Sequence, residues 1–296
     1  MGFAFDPDFH RNQRVETGEE QTRAMFEWLR NEYRRSLDLR NKLTPETTDI
    51  FVQPLVALDK TRSIHAFEVL GRFREGDGHI SAGLFIDDII LMGLAPEFDT
   101  LVLEQVVAQS ESLARITSRL FVNVSPASLE KREYIDKLIQ AVQGPLRGFE
   151  VVLELTERVL LERIGLISEL HRDHGLHFAI DDFGTGYSTL QTVIELALEG
   201  SIRYLKLDGS LTRNITTSLA SERIMHITQQ MARELNLETV VEVIETVAQV
   251  DKLRELDMDI GQGYLLGIPD TVAVWKGKLN YLESRISGTA PSTFIL

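Results

Sequence analysis

The chain contains no cysteine. That excludes a disulfide framework, a thiolate zinc site and a cysteine nucleophile. It also lacks any run approaching roughly 18 apolar residues, so no membrane-spanning helix is expected. The opening residues, MGFAFDPDFHRNQR, do not set a basic segment before an apolar one. No secretory signal is expected, and the cytoplasm is the expected compartment. Positive charge is scarce: 31 Lys and Arg stand against 45 Asp and Glu, a formal net charge of −14. The deficit argues against a nucleic-acid polymer or an anionic membrane surface as partner, because both require positive potential. It does not exclude an anionic small substrate where metal ions intervene. No Gly-x-Gly-x-x-Gly opens the first β-unit, and the glycines of GQGYLLG are not followed by Gly-Lys-Ser/Thr. Neither a dinucleotide fingerprint nor a P-loop is therefore expected.

What is present fits an ordinary globular protein of 296 residues, 43% hydrophobic and 26% charged. That length allows two average domains or one large α/β barrel. Residues 1–48 hold nine acids and eight bases, so almost all the net charge belongs to residues 49–296. The pattern breaks at Thr44-Pro45. Before it, Glu19 to Lys42 is strongly charged, with Phe26, Leu29, Tyr33 and Leu37 at spacings of three and four, which predicts one amphipathic helix. It either packs on the following domain or acts as a linker or dimerisation helix. Its heptads are too few for a coiled coil. The expected division is a helical extension or linker over 1–48, a barrel over 49–286 and a tail over 287–296.

Beyond Pro45 the chain alternates. Eight β-branched runs (FVQPLVAL, IHAFEVLGRF, RLFVNV, FEVVLEL, LHFAI, IRYLKL, ETVVEV and MDIGQGYLL) are separated, from the second onward, by segments long enough for helices. These are Phe98–Arg115, Ser128–Val142, Arg158–His174, Ser188–Leu198, Ile215–Leu235, Ala248–Leu256 and Val272–Ile286. Eight strands with intervening helices predict a TIM-like (β/α)8 barrel, with a doubly wound open sheet as the alternative. Only a short turn around Asp59–Arg62 links the first two runs. A parallel crossover needs about a dozen residues, so strands 1 and 2 are predicted to be antiparallel. Gly71–Gly83 reads as a polar loop.

Chemistry gathers at the strand ends. Run 2 carries Glu68, run 3 ends in Asn123, run 4 in Glu154, run 5 in Asp181-Asp182, run 6 near Lys206 and run 7 in Glu242, while run 8 holds Gln262. In a parallel barrel these ends meet at one mouth, where barrel enzymes keep their sites. Singly, each reads as a helix cap or a rim charge. Together, five acids with Lys206 as the only base would repel one another. Divalent cations are the natural compensation, and all-oxygen ligands favour Mg²⁺ or Mn²⁺ over Zn²⁺. Adjacent strand residues face opposite sides, so Asp181 and Asp182 reach one site only if the chain bends there. Phe183-Gly184-Thr185-Gly186 supplies two glycines for such a bend. A paired acid at this junction suits two ions about 3.5–4 Å apart. Thr156 reads as a helix cap and Glu157 as a first-turn acid. His171, His174 and His177 straddle a helix end and are read as a solvated rim.

Residues from about Asp49 to Asp270 resemble the EAL domain, the cyclic di-GMP phosphodiesterase family. The matching pieces are Gln53-Pro54, Glu68-Val69-Leu70 with Arg72, Phe121-Val-Asn123-Val-Ser-Pro126, Glu154-Leu-Thr-Glu157, Asp181-Asp182-Phe-Gly-Thr-Gly186, Lys206-Leu-Asp208, Glu242-Val-Ile-Glu245-Thr246 and Gln262-Gly-Tyr264. The resemblance implies a modified barrel with an antiparallel strand pair. It implies one ion held by Glu68, Asn123, Glu154 and Asp181, and a second by Asp181, Asp182 and Glu242. Lys206 would position and polarise water or phosphate, and Gln262 would orient water. Gln53, Leu70 and Arg72 would contact substrate. Glu157 would anchor the loop Asp182–Ser188, and Glu245 would support the site from behind. Two departures add bulk beside acids: Val69 replaces the signature alanine, and Val243 the glycine usual after the seventh-strand glutamate.

The expected activity is hydrolysis of cyclic di-GMP to linear 5′-pGpG with two Mg²⁺ or Mn²⁺ ions, with Ca²⁺ inhibitory. A homodimer is expected from the family, and an upstream regulatory domain or partner protein is compatible with the chain. The alternatives are a non-catalytic cyclic di-GMP receptor and a protein-interaction scaffold on the same barrel.

Overall fold

The computed structural model describes residues 25–27, 30, 34, 37–183 and 190–286. The chain divides into two compact units, Met1–Leu43 and Thr44–Leu296. In the first, residues 37–42 are helical. Much of the helix expected over Glu19–Lys42 lies outside the described residues.

The second unit is a closed barrel. Its strands are β1 (Thr48–Ala57), β2 (Ile64–Glu75), β3 (Gly78–Ser81), β4 (Arg119–Asn123), β5 (Glu150–Thr156), β6 (His177–Phe183), β7 (Ile202–Leu207), β8 (Glu238–Val241) and β9 (Ile260–Gly261). The sheet runs β1-β9-β8-β7-β6-β5-β4-β2-β3, and a β1–β2 pairing closes eight of these strands into a ring. β1 runs against both its neighbours, β2 and β9. The other ring pairings are parallel. The antiparallel pair follows from its connection. Asp59 Oδ1 accepts from Thr61 N at 2.9 Å and Thr61 Oγ1 at 2.6 Å, an Asx turn far too short for a crossover.

The expected polar loop Gly71–Gly83 is instead mostly strand. β2 continues to Glu75 and turns through Gly76 (φ +57°) into β3, which pairs Glu75 with Gly78. Apolar packing holds this lobe. Phe73 is buried, its ring centroid 4.1 Å from that of Phe85 and 5.6 Å from that of Phe98. Asp49 Oδ2 also draws Arg74 Nη2 (3.0 Å) and His79 Nε2 (3.1 Å) together across the hairpin.

One layer of the core explains where the chemistry falls. Leu55, Ala66, Phe121, Val152, Ala179, Tyr204, Val240 and Ile260 form a single buried cluster, one side chain from each ring strand. Small residues there sit with large ones: the Phe121 and Tyr204 rings are 4.7 Å apart beside two alanines. A second cluster, including Leu207, Ile215, Met225, Val241, Ile244 and Leu253, joins the outside of the sheet to its helices. Those helices include Glu157–His174, Leu190–Glu199, Leu219–Glu234, Val247–Glu255 and Val272–Ile286.

Candidate active site

Side chains along a strand repeat on one face every second residue. Two residues beyond the core layer, on the parallel strands, come Glu68, Asn123, Glu154, Asp181, Lys206, Glu242 and Gln262; on reversed β1, two residues before Leu55, comes Gln53. The buried layer therefore sets the phase of the site, and each ring strand delivers one polar side chain to the same mouth. Asp182 is out of phase by one residue. Pairing between β6 and β7 also shifts between Ile180 and Phe183, the irregularity the paired acids called for. The Asp182 side chain and residues 184–189 lie outside the described residues.

Lys206 is the centre. Buried to 2% exposure, its ammonium lies 2.9 Å from Glu154 Oε2, 2.9 Å from Glu242 Oε1, 3.2 Å from Asp181 Oδ1 and 3.9 Å from Glu68 Oε1. One cation faces four carboxylates. Burial alone would neutralise Lys206, but the carboxylates around it hold its pKa well above the usual lysine value. Burial, then the Glu68 charge, pushes Glu154 well above the carboxylate range. Burial also raises Glu242, against the pull of Lys206. Glu68 is buried too, yet its pKa is lowered. Lys206 and hydrogen bonds from Gln262 and Asn123 outweigh desolvation there.

The amides complete the ring. Asn123 Nδ2 donates to Glu68 Oε1 at 2.8 Å. Gln262 Nε2 donates to Glu68 Oε2 at 2.6 Å and to Gln53 Oε1 at 3.0 Å, and Gln53 Nε2 reaches Gly267 O at 3.0 Å. Glu154 Oε1 and Gln262 Oε1 are buried with no hydrogen-bond partner.

Beyond Glu68 on the same face of β2 come half-buried Leu70 and buried Arg72. The Arg72 guanidinium lies 5.2 Å from the Phe51 ring centroid and donates to Gly71 O at 2.8 Å. A cavity of about 420 Å³ opens beside these groups, bounded by Gln53, Glu68, Glu242, Glu245 and Gln262. Arg213 and Tyr264 also line it. Arg213 was not anticipated; it lies at the end of the short helix Gly209–Arg213, just after β7. Glu157 is buried in the first turn of its helix, whereas Thr156 occupies the cap position without a side-chain hydrogen bond. Glu245 is exposed, and Thr246 makes a reciprocal capping box with Gln249 behind it. A larger cavity, about 950 Å³, lies at the opposite end of the barrel near Leu58, His65, Glu238 and Arg254, away from this ring.

The donor chemistry fits hard divalent cations. It is all oxygen, over-rich in negative charge, and contains an orphaned carboxylate oxygen in Glu154. Among the described residues no three His, Asp or Glu form a ready-made cation cage, because the carboxylates close on Lys206.

A family model, the EAL domain, matches residues 36–269. The chain belongs to the EAL domain family. The cyclic di-GMP phosphodiesterase NbdA of Pseudomonas aeruginosa is 32% identical over 244 residues, covering 78% of this chain and 30% of NbdA. This chain spans less than half the length of the first curated relatives it matches. Among solved structures, the PaMucR phosphodiesterase in complex with c-di-GMP superposes with a TM-score of 0.69 at 27% identity, over 80% of this chain and 98% of that one. An EAL domain protein from Listeria monocytogenes EGD-e gives 0.69 at 26% identity, over 83% and 97%.

The histidines stay outside the EAL ring, but they are not the solvated rim expected of them. His171, His174 and His177 are each half-buried. Gly175, at φ +69°, turns the chain back at the helix end, so the His171 and His177 rings lie 5.1 Å apart. No helix among the described residues is long and apolar enough to cross a membrane.

Proposed function

We propose that this EAL domain hydrolyses cyclic di-GMP to linear 5′-pGpG in a divalent-metal-dependent reaction, lowering the level of the second messenger. The observation that carries the reading is the ring of oxygen donors, in phase with the core layer, around a single buried ammonium, with Glu154 Oε1 left unpartnered. Glu68, Asn123, Glu154, Asp181, Asp182 and Glu242 would hold two Mg²⁺ or Mn²⁺ ions. Bound there, the metals supply Lewis acidity to the phosphoryl oxygens and lower the pKa of water. Ca²⁺ binds similar oxygens at longer range with looser geometry, so it would inhibit.

The chain's own groups do the rest. Gln262, held by Glu68 and Gln53, leaves its Oε1 free to accept a hydrogen bond from water. Lys206 keeps its proton and so orients water or phosphate as a cation rather than acting as a base. Arg72, preset by Phe51 and Gly71, would bind a phosphate through charge-assisted bonds, and Gln53 and Leu70 would contact the nucleotide. Water attacks phosphorus in line and gives up a proton to solvent, the new P–O bond forms as the ester P–O bond breaks, and the leaving oxygen takes up a proton from solvent. Glu157 would anchor the loop Asp182–Ser188, and Glu245 would support Glu242.

The proposed division of the chain keeps 1–48 as a helical extension or linker, 49–286 as the catalytic barrel and 287–296 as a tail. The protein is proposed to act in the cytoplasm as a homodimer, under an upstream domain or partner protein.

The test is nucleotide chromatography after incubation with cyclic di-GMP and Mn²⁺, with and without EDTA, beside a thermal-shift measurement. Product that EDTA abolishes supports the enzyme. Stabilisation without product would select the receptor, and neither would select a scaffold. Glu68→Ala should abolish turnover, and normal hydrolysis by that variant in saturating Mg²⁺ would refute the site.

A further inference from the structure

Val243 has φ +59°. The other non-glycine residues with positive φ among those described are Arg62, Asn236 and Asp257, none of them β-branched. A β-branched residue in the left-handed region is an outlier that persists only when its surroundings enforce it. Two glycines provide the enforcement. A Cβ placed on Gly209 would fall 2.2 Å from Val243 Cγ2 and 2.8 Å from Val243 Cβ, so the valine rests directly on the Gly209 backbone. A Cβ on Gly263 would fall 2.1 Å from Ile244 O and 2.2 Å from Ile244 N. Ile244 N also donates to Gln262 O at 3.0 Å, and its side chain is fully buried. The segment after β8 is thus clamped between the start of the helix Gly209–Arg213 and the Gln262–Gly263 turn.

The consequence falls on the neighbouring acid. In an unbroken strand, residues 242 and 244 would face the same side. The left-handed turn at Val243 breaks that alternation. Ile244 enters the core outside the barrel, while Glu242 stays at the mouth with its carboxylate 2.9 Å from Lys206. Val243 and Glu245 both line the 420 Å³ cavity on that side.

We propose that Val243 is a positioning residue. Wedged on Gly209, it fixes the Glu242 carboxylate at the mouth, and Gly209 and Val243 form a size-matched pair in which one side chain must be absent for the other to fit. The functional part rests on the hydrolytic reading given above. The Gly209 clash cannot be relieved by swinging a flexible tip, because the Cβ of Val243 itself is within 2.8 Å. Any side chain at 209 must therefore displace the backbone at 209 or at 242–244 and open the contact that seats Val243.

The experiment uses the full chain as wild type, Gly209→Ala, Val243→Gly and the double variant. It reads hydrolysis of cyclic di-GMP across a Mn²⁺ titration and thermal melting in EDTA. Gly209→Ala is expected to lose tenfold or more in kcat, to need more Mn²⁺ for half-saturation and to melt lower, with KM changed less than about threefold. The double variant is expected to recover kcat to within about threefold, its alanine methyl filling the space the valine vacates. Val243→Gly alone is expected to melt higher than wild type, because glycine is unstrained at this φ. Its kcat should nonetheless fall and its Mn²⁺ requirement rise. Stability and turnover moving in opposite directions would not follow from a merely structural residue. A double variant no better than Gly209→Ala, or a Gly209→Ala indistinguishable from wild type, overturns the proposal. A wild type without hydrolysis removes the functional reading and the positioning role with it. The four melting temperatures then still decide the pair, and additive shifts would overturn that too.

Discussion

Replacing Lys206 by methionine keeps most of the side-chain volume and removes the only cation among four carboxylates. At an effective dielectric of about 20, each contact at 2.9 Å corresponds to about 5–6 kcal/mol of attraction before the desolvation of the ammonium is set against it. Removing one partner from a buried ion network typically costs about 3–5 kcal/mol, because the remaining charges are left uncompensated. Protonation limits that cost here: the Glu154 pKa is already raised, so it is the carboxyl that neutralises first. At about 2–4 °C per kcal/mol for a domain of this size, Lys206→Met should melt about 6–20 °C below wild type in EDTA. Divalent cations should restore much of this, since they would supply the missing positive charge. Differential scanning fluorimetry of both proteins in EDTA and in millimolar Mn²⁺ reads the effect directly. The cation-induced rise should be larger in the variant, while its hydrolysis stays low. A variant within about 2 °C of wild type in EDTA, or one that gains no more from Mn²⁺ than wild type, would refute the view of Lys206 as the charge that holds the apo site together.

Arg72→Ala should raise KM for cyclic di-GMP about 10–100-fold with kcat nearly kept, as expected for loss of a hydrogen bond to a charged group; steady-state kinetics decides, and a fall in kcat at constant KM would rule out the substrate-contact role. Burial, then the Arg119 charge, lowers His65 from 6.5 to about 4. Above pH 6.5 both folded and unfolded forms are neutral, so stability should be lost as pH falls from 6.5 towards 4, by up to about 1.4 kcal/mol per pH unit. Urea melts at pH 6.5 and 5.0 should show that loss shrinking in His65→Gln, and an unchanged slope would refute it. Cyclic di-GMP affinity, measured by calorimetry with Ca²⁺ to block turnover, should collapse in EDTA; equal affinity in both buffers would contradict a requirement for cations before nucleotide.

Much of this was legible in the sequence because strand geometry is periodic. Glu68, Glu154, Lys206 and Glu242 lie two residues beyond Ala66, Val152, Tyr204 and Val240, so the apolar alternation that builds the core also sets the face of the acids. The reversed β1 was legible from the shortness of the Asp59–Arg62 turn. The β3 hairpin was not, because the polar run Arg74–His79 hides the burial of Phe73 against Phe85 and Phe98, contacts made by residues far apart in sequence. Arg213 was missed for a similar reason: nothing local tells that a five-residue helix will lean over a cavity. Val243 was visible as extra bulk, but its positive φ goes with close approaches to Gly209 and of Ile244 to Gly263, residues on other connections.

The net charge of −14 can now be placed. Among the described residues, many of the other acids are exposed or paired groups, such as Glu150 with Arg119 at 2.8 Å and Glu222 with Lys252 at 2.7 Å. The excess that matters is local: four carboxylates, two of them with raised pKa values, around one ammonium. Such a mouth repels a dinucleotide phosphate as it stands. It would become complementary once positive charge is added, and Glu154 Oε1 is a buried acceptor with no partner within the protein. Under the proposed reading, a ring held by one internal ammonium and completed by bound divalent cations would link stability to metal loading. The proposed catalytic ring would then also be a part of the barrel whose stability divalent cations raise.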